Sequence, residues 1–241
     1  MRPGTLLRWY ALNGILKSAI KNASVILDIG GFDGYIFHEM SREITGKDIT
    51  VVDLDKSGLK TAREMGLKTL EASVMDLPFP DSHADLILCL DLLEHVEDDG
   101  RVMQEISRVL KKDGTIVLTT PMEEGVSFQF MKRERIESIN RGWGHIRLGY
   151  SLDQIKRIFI RNGLEIITIS RYFNFFTRLV YRFTFLSKSF RFNWSVYESA
   201  LKLEPYFKLG SQEYIIVAKK PIIDDSQPFL HGPTLLKKGA A

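Results

Sequence analysis

Short apolar runs rich in Val, Ile and Leu recur at residues 25–29, 49–53, 67–70, 85–90 and 115–119, separated by segments of helical periodicity. No other feature constrains the chain as much, because such alternation predicts a parallel sheet with helices on both faces. Within it, VILDIGGFDG at residues 25–34 and ITVVDLD at residues 49–55 place two carboxylates around a glycine-bearing turn. The first run carries Asp28, the turn carries Gly30, Gly31 and Gly34, and the second run ends in Asp53. The order reads as strand, tight loop, helix, strand. Glycines let a backbone approach a ligand with no Cβ in the way, and an acid about 20 residues beyond such a loop can accept hydrogen bonds from a ribose diol.

Dinucleotides and S-adenosylmethionine both use this layout, and a glycine-rich turn without a ligand is the plain alternative. A dinucleotide loop packs against a pyrophosphate, usually as G-x-G-x-x-G, so acids beside it are unfavourable. Here the string D-I-G-G-F-D-G puts carboxylates at Asp28 and Asp33. The sulfonium and α-ammonium of S-adenosylmethionine suit an acidic loop, and the residues favour the methyl donor.

At 241 residues the chain is long enough for one α/β domain with a substantial core. Its 26% charged residues are those of an ordinary soluble protein, and the net charge of +3 does not imply nucleic acid. Cys89 is the single cysteine, so no intramolecular disulfide forms; a buried thiol and a cytoplasmic location are expected. Residues 5–21 read as an amphipathic docking helix rather than a signal peptide, because Asn13 and Lys17 interrupt the apolar run. No stretch approaches about 20 uninterrupted apolar residues, so no membrane span is expected.

Further along, VMQEISRVLKKDG predicts a helix closed by basic residues and Gly114, and SLDQIKRIFIRNG a helix capped at Ser151 and stopped at Gly163. Runs at 164–169 and 213–218 complete the strands. Between them, residues 171–194 hold 10 of the chain's 26 aromatic residues, five basic residues and no acid. As a helix over 171–189, this insert would set Arg171, Arg178 and Arg182 in one basic stripe beside an apolar surface. Peripheral membrane contact is one expectation for it. An apolar cap or homodimer contact is the other, and nucleic acid is the least favoured partner.

Four segments, LDIGGFDG, VVDLD, MDLPFPDSHADLIL with LDLLEHV, and ISRVLKKDGTIVLTTP, occur in the order that resembles class I S-adenosylmethionine-dependent methyltransferases of the type 11 group. The resemblance implies a Rossmann-like, seven-stranded, mostly parallel sheet with an antiparallel last strand and the aromatic-basic insert before it. It implies one domain over residues 1–220, with the docking helix 5–21 and an insert 171–209, followed by an extended tail 221–241. Asp28 would lie near the methionine ammonium, with Gly30, Gly31 and Gly34 closing the loop. Asp53 would hold the ribose, beside Leu54. Ser73, Val74 and Met75 would face the adenine, and Leu90 the methionine portion. The chain departs from the family at Phe32, where relatives have a glycine, and at Ser73, where they often have an acid.

On the acceptor side, Glu94 and His95 follow the fourth strand, and GWGHIRLGY at residues 142–150 supplies Trp143, His145, Arg147 and Tyr150. His145 and His95 are the expected catalytic bases. Trp143, Arg147 and Tyr150 are the expected substrate contacts, with Arg147 clamping a phosphate or carboxylate. A loop knitted to the domain by His and Arg hydrogen bonds is the structural alternative. No metal is expected: the five histidines show no short ligand spacing, although Glu94, His95 and His145 could form part of a site. The expected activity is O-methylation of a small or lipid-linked acceptor, a glycan or glycolipid intermediate first. A quinone or small-phenol O-methyltransferase and a non-catalytic cofactor-binding partner subunit are the alternatives.

Overall fold

The computed structural model describes residues 3–40, 44–183, 194–204 and 206–222. Among them, seven strands form one sheet of order β3-β2-β1-β4-β5-β7-β6. They are β1 Val25–Ile29, β2 Asp48–Asp53, β3 Lys68–Glu71, β4 Ala84–Leu90, β5 Leu110–Pro121, β6 Glu165–Tyr172 and β7 Glu213–Lys219. β1 to β5 pair in parallel, and β7 runs antiparallel to both β5 and β6. This is the parallel core that the alternating runs predict, within the seven-stranded Rossmann-like sheet that the family resemblance implies.

Alternate residues of the central strands feed two apolar layers, as the two-residue period of a strand requires. On one face Leu27, Ile29, Ile87, Cys89, Ile116 and Leu118 pack against helices α4 (Asp99–Val109) and α6 (Leu152–Arg161). On the other, Ile26, Leu86, Leu88 and Val117 pack against α1 (Pro3–Lys21) and α8 (Trp194–Leu203). α1 buries Leu12, Leu16 and Ile20 there, and its first turns reach the carboxyl-terminal edge of the sheet. The short α2 (Tyr35–Glu39) follows the glycine loop, and α3 (Lys56–Glu64) covers Val51 with Leu59 and Ala62. No helix among the described residues is long and apolar enough to cross a membrane.

Two expectations about local structure need correction. The α4 helix stops at Val109, not Gly114, because β5 already begins at Leu110 and pairs from there with Ala84. Lys111 to Gly114 therefore belong to a strand with an irregular register against β4. By contrast, α6 is bounded as its sequence implies, with a capping box in which Ser151 and Gln154 satisfy each other's backbone amides.

The second correction concerns the basic stripe. Arg171 lies in β6, and the chain turns at Phe173 (φ 60°) before Asn174 caps the separate helix α7 (Phe175–Tyr181). Arg178 is buried, donating to the backbone oxygens of Ser127 (2.7 Å) and Gly210 (2.8 Å). Arg171 packs over the Tyr214 ring and Arg182 over Phe130. The three guanidinium groups thus serve three different local purposes and form no common face. The rest of the insert, residues 184–193, and the tail at 223–241 lie outside the described residues.

Leu16 is wholly buried between α1 and the sheet. Leu16→Ala is expected to lower the unfolding free energy by about 2–5 kcal/mol, read from the urea midpoint at unchanged slope.

Candidate active site

The glycine loop is closed from below by the two acids that the sequence singles out. The Asp53 carboxylate accepts from the Phe32 amide (2.9 Å) and the Asp55 amide (2.9 Å), while Gly30 donates to Val52 O at 2.7 Å. Asp28 is buried directly beneath the loop, where a Cβ at Gly31 would come within 2.4 Å of its carboxylate. Only glycine lets the backbone cross there. Phe32 keeps the left-handed conformation (φ 48°) that costs an ordinary residue roughly 1–2 kcal/mol. Its ring rests on Gly58 at the start of α3, where a Cβ would stand 2.8 Å from it. The aromatic residue therefore keeps the turn and directs its bulk onto α3.

Around this loop, Leu54 is exposed just past Asp53, and Leu90 ends β4. Ser73 holds a tight turn by accepting from the Met75 amide (3.2 Å), Val74 is buried, and Met75 is half-exposed with its carbonyl already taken by Arg101 Nε (2.9 Å). Burial first, then the neighbouring charge of Asp53, pushes the Asp28 carboxyl up to about 7, with Arg8 pulling it back.

Beyond Leu90 the site becomes an acidic edge that the sequence analysis missed. Asp91 adopts φ 48° and is held by Arg8 Nε at 2.9 Å, the Thr119 hydroxyl and the Tyr172 hydroxyl (3.4 Å). Glu94 and Glu213 are buried nearby, and burial first, then Asp91, raises both carboxyls well above the usual carboxylate range. The missed signal is the one that marks Asp53: an acid closing an apolar strand, here in LILCLD. Glu213 opens an antiparallel strand, so it reaches the same edge from the opposite direction.

Glu94 and His95 sit on a single 3-10 turn, Leu93–His95. The loop after α5 (Arg133–Gly142) folds onto that turn, with the Ile146 amide donating to Glu94 O at 3.0 Å. The His95 and His145 rings meet edge to face at 4.8 Å, and Trp143 lies 5.9 Å beyond His145. From Trp143 an aromatic wall continues through Phe128, Phe173, Tyr181 and Tyr197. Burial first, then His95, lowers His145 to about 4. A base that weak takes a proton poorly near neutral pH, so the expected general-base role of His145 is not favoured.

Arg147 and Tyr150 are engaged within the fold. Arg147 pairs with Asp99 and donates to the carbonyls of Val96 (2.8 Å) and Glu97 (2.9 Å), and the buried Tyr150 hydroxyl bonds Asp99 (2.8 Å) and Leu93 O (3.0 Å). In this structure both residues stitch the loop to the segment that begins with the 3-10 turn. A surface depression of about 670 Å³, lined by Ala23, Asp85, Gly114 and Lys219, lies at the opposite end of the strands and takes no part in this site.

Residues 27–118 match the methyltransferase domain family. The likeness to that family thus lies in the part of the chain that holds the glycine loop, Asp53 and the strands β1 to β5. The chain is 32% identical over 123 residues to a ubiquinone/menaquinone biosynthesis C-methyltransferase of Psychromonas ingrahamii, covering 46% of this chain and 49% of that protein. A ubiquinone biosynthesis O-methyltransferase of Alkalilimnicola ehrlichii is 29% identical over 112 residues, covering 44% of each. The chain thus spans about half the length of the curated relatives it matches. In fold it is similar to a putative sarcosine dimethylglycine methyltransferase from Galdieria sulphuraria, with a TM-score of 0.64, 17% identity and coverage of 89% of this chain and 85% of that one.

The methyltransferase domain's cofactor, S-adenosylmethionine, fits the residues present. Each Asp53 oxygen is used by one amide and keeps a lone pair for a ribose hydroxyl. Asp28 lacks a full counter-charge, and a cofactor ammonium above it would supply one.

Two outcomes follow from this geometry. Because an ammonium favours the ionised carboxylate, affinity for S-adenosylhomocysteine should fall as the pH drops from about 8 to about 6, and Asp28→Asn should flatten that slope in calorimetry. For the ligand-free chain the expected sign is opposite: with its carboxyl raised to about 7, Asp28 should contribute stability that is full below its ordinary 3.8 and lost as the pH rises through about 7. Arg147→Ala should cost about 1–3 kcal/mol of stability, and an acceptor KM that rises while the melting temperature stays fixed would contradict the stitching role.

Proposed function

We propose that the protein is an S-adenosylmethionine-dependent methyltransferase that acts on a hydroxyl oxygen of a small, largely apolar acceptor of the phenol or quinol class. The observation that carries this reading is the aromatic wall running from Trp143 to Tyr197 beside Glu94, His95 and His145, at the strand edge where Asp28 and Asp53 would hold the cofactor. When bound, the cofactor supplies an electrophilic methyl group. The chain's own residues then have three tasks. Asp28 and Asp53 orient the donor, the aromatic wall excludes water and packs a planar acceptor, and the Glu94, His95 and His145 cluster faces the acceptor hydroxyl as it loses its proton. The names of the two quinone-pathway relatives are consistent with this acceptor class.

A glycan hydroxyl is the second reading. What favours it is Trp143, 40% exposed beside His145, where a sugar face can stack. Against a lipid-linked phosphate, the two terminal nitrogens of Arg147 are already used by Asp99, Tyr150 and the carbonyls of Val96 and Glu97. A cytoplasmic location belongs to the same proposal.

Incubation of the purified chain with isotopically labelled methyl donor and matched panels of phenols, quinols and glycans tests it. Label in an ether of a phenol or quinol is expected, abolished in Asp53→Ala. Label only in glycans would replace the first reading by the second, and no transfer to any panel in an extract would sink both.

A further inference from the structure

We propose that Glu94, His95 and His145 form a binding site for a divalent transition metal. One ligand atom from each residue lies within 4.8 Å of the other two. Tetrahedral bonds of about 2.1 Å place ligand atoms about 3.4 Å apart, so small side-chain rotations close the set. The backbone already holds the two segments together through the Ile146 amide and Glu94 O, and the His95 amide is anchored to Leu92 O at 2.9 Å.

Unsatisfied polar atoms point independently to a ligand. Glu94 is fully buried, yet its Oε1 has no hydrogen-bond partner, and the buried Nδ1 of His145 has none either. Leaving a buried acceptor unpaired costs about 1–3 kcal/mol, and a cation between these atoms would satisfy both at once. The other carboxylate oxygen, Oε2, takes the Thr120 hydroxyl at 3.3 Å, the kind of outer contact that orients a metal-binding carboxylate. Asp91, by contrast, is engaged by Arg8 and Thr119 and is not counted as a ligand.

The donor set selects the ion. Two imidazoles and one carboxylate suit zinc, cobalt, iron or manganese, whereas magnesium and calcium prefer oxygen ligands. Three protein ligands leave a coordination position open, and the exposed His95 marks the solvent side. At that position the ion would hold the acceptor oxygen as phenolate or alkoxide, the proton leaving to solvent, so that the triad acts through Lewis acidity rather than through a histidine base. This role rests on the methyl-transfer reading; ion binding itself does not.

The untagged, chelator-treated chain is titrated with Co2+, following its visible absorption, and with Zn2+ by equilibrium dialysis. One ion per chain is expected, weakened at least about tenfold in Glu94→Gln, His95→Ala and His145→Ala. Calorimetry with S-adenosylhomocysteine on the same metal-free samples reports that each variant is folded. No stoichiometric uptake by the wild-type chain, or undiminished uptake in the double variant His95→Ala/His145→Ala, would overturn the metal site. A chain that takes up the ion through these residues but transfers no methyl group supports the site and overturns only the proposed reaction.

Discussion

The Arg8 guanidinium, 2.9 Å from Asp91, is the contact on which the working edge of this sheet depends. Asp28, Asp91, Glu94 and Glu213 gather where β1, β4, β5 and β7 meet, and mutual repulsion would oppose burying so many carboxyls together. Arg8 lowers the cost for Asp28, Glu94 and Glu213, each of which is still held above its ordinary range by burial. The helix that supplies it is anchored by Leu12, Leu16 and Ile20, so an apolar interface delivers the charge that the acidic edge needs. Packing and electrostatics are one device here: α1 cannot leave the sheet without uncovering acids that have no other strong counter-charge among their described neighbours.

The two halves of the cleft are built on different principles. The cofactor half is local. Asp28, the glycine loop and Asp53 lie within two adjacent parallel strands and one turn, and backbone amides make most of the contacts. Such a unit tolerates change, as Phe32 shows by adopting a glycine-like φ and parking its ring on Gly58. The half proposed to face the acceptor is assembled from the 3-10 turn after β4, the loop after α5, the end of β6 and α8. Here side chains make the contacts, and Arg147 and Tyr150 bind the segments to one another.

That difference explains why some residues were legible and others were not. Asp53 shows in the sequence because it ends an apolar run at a set distance from a glycine turn. Arg147 looks like an anion clamp because its type and its neighbours His145 and Tyr150 suggest one, but its partner Asp99 lies on a different element. Arg178 seemed part of an exposed stripe only under the assumption of one continuous helix. A turn at Phe173 and a cap at Asn174 break that helix, and the guanidinium goes inside. Glu94, His95 and His145 show no ligand spacing along the chain, yet the loop after α5 brings them within 4.8 Å.

By itself the sequence determined the alternation of strands and helices, the parallel core of the sheet and the acid-lined glycine loop, because each follows from short-range periodicity or from residues adjacent along the chain. Only the tertiary structure decided which charged groups are spent on holding the fold and which remain for chemistry. That choice turns on burial and on partners distant in sequence. The same arginine or histidine is a clamp, a stitch or a metal ligand according to what the fold places within about 3–5 Å of it.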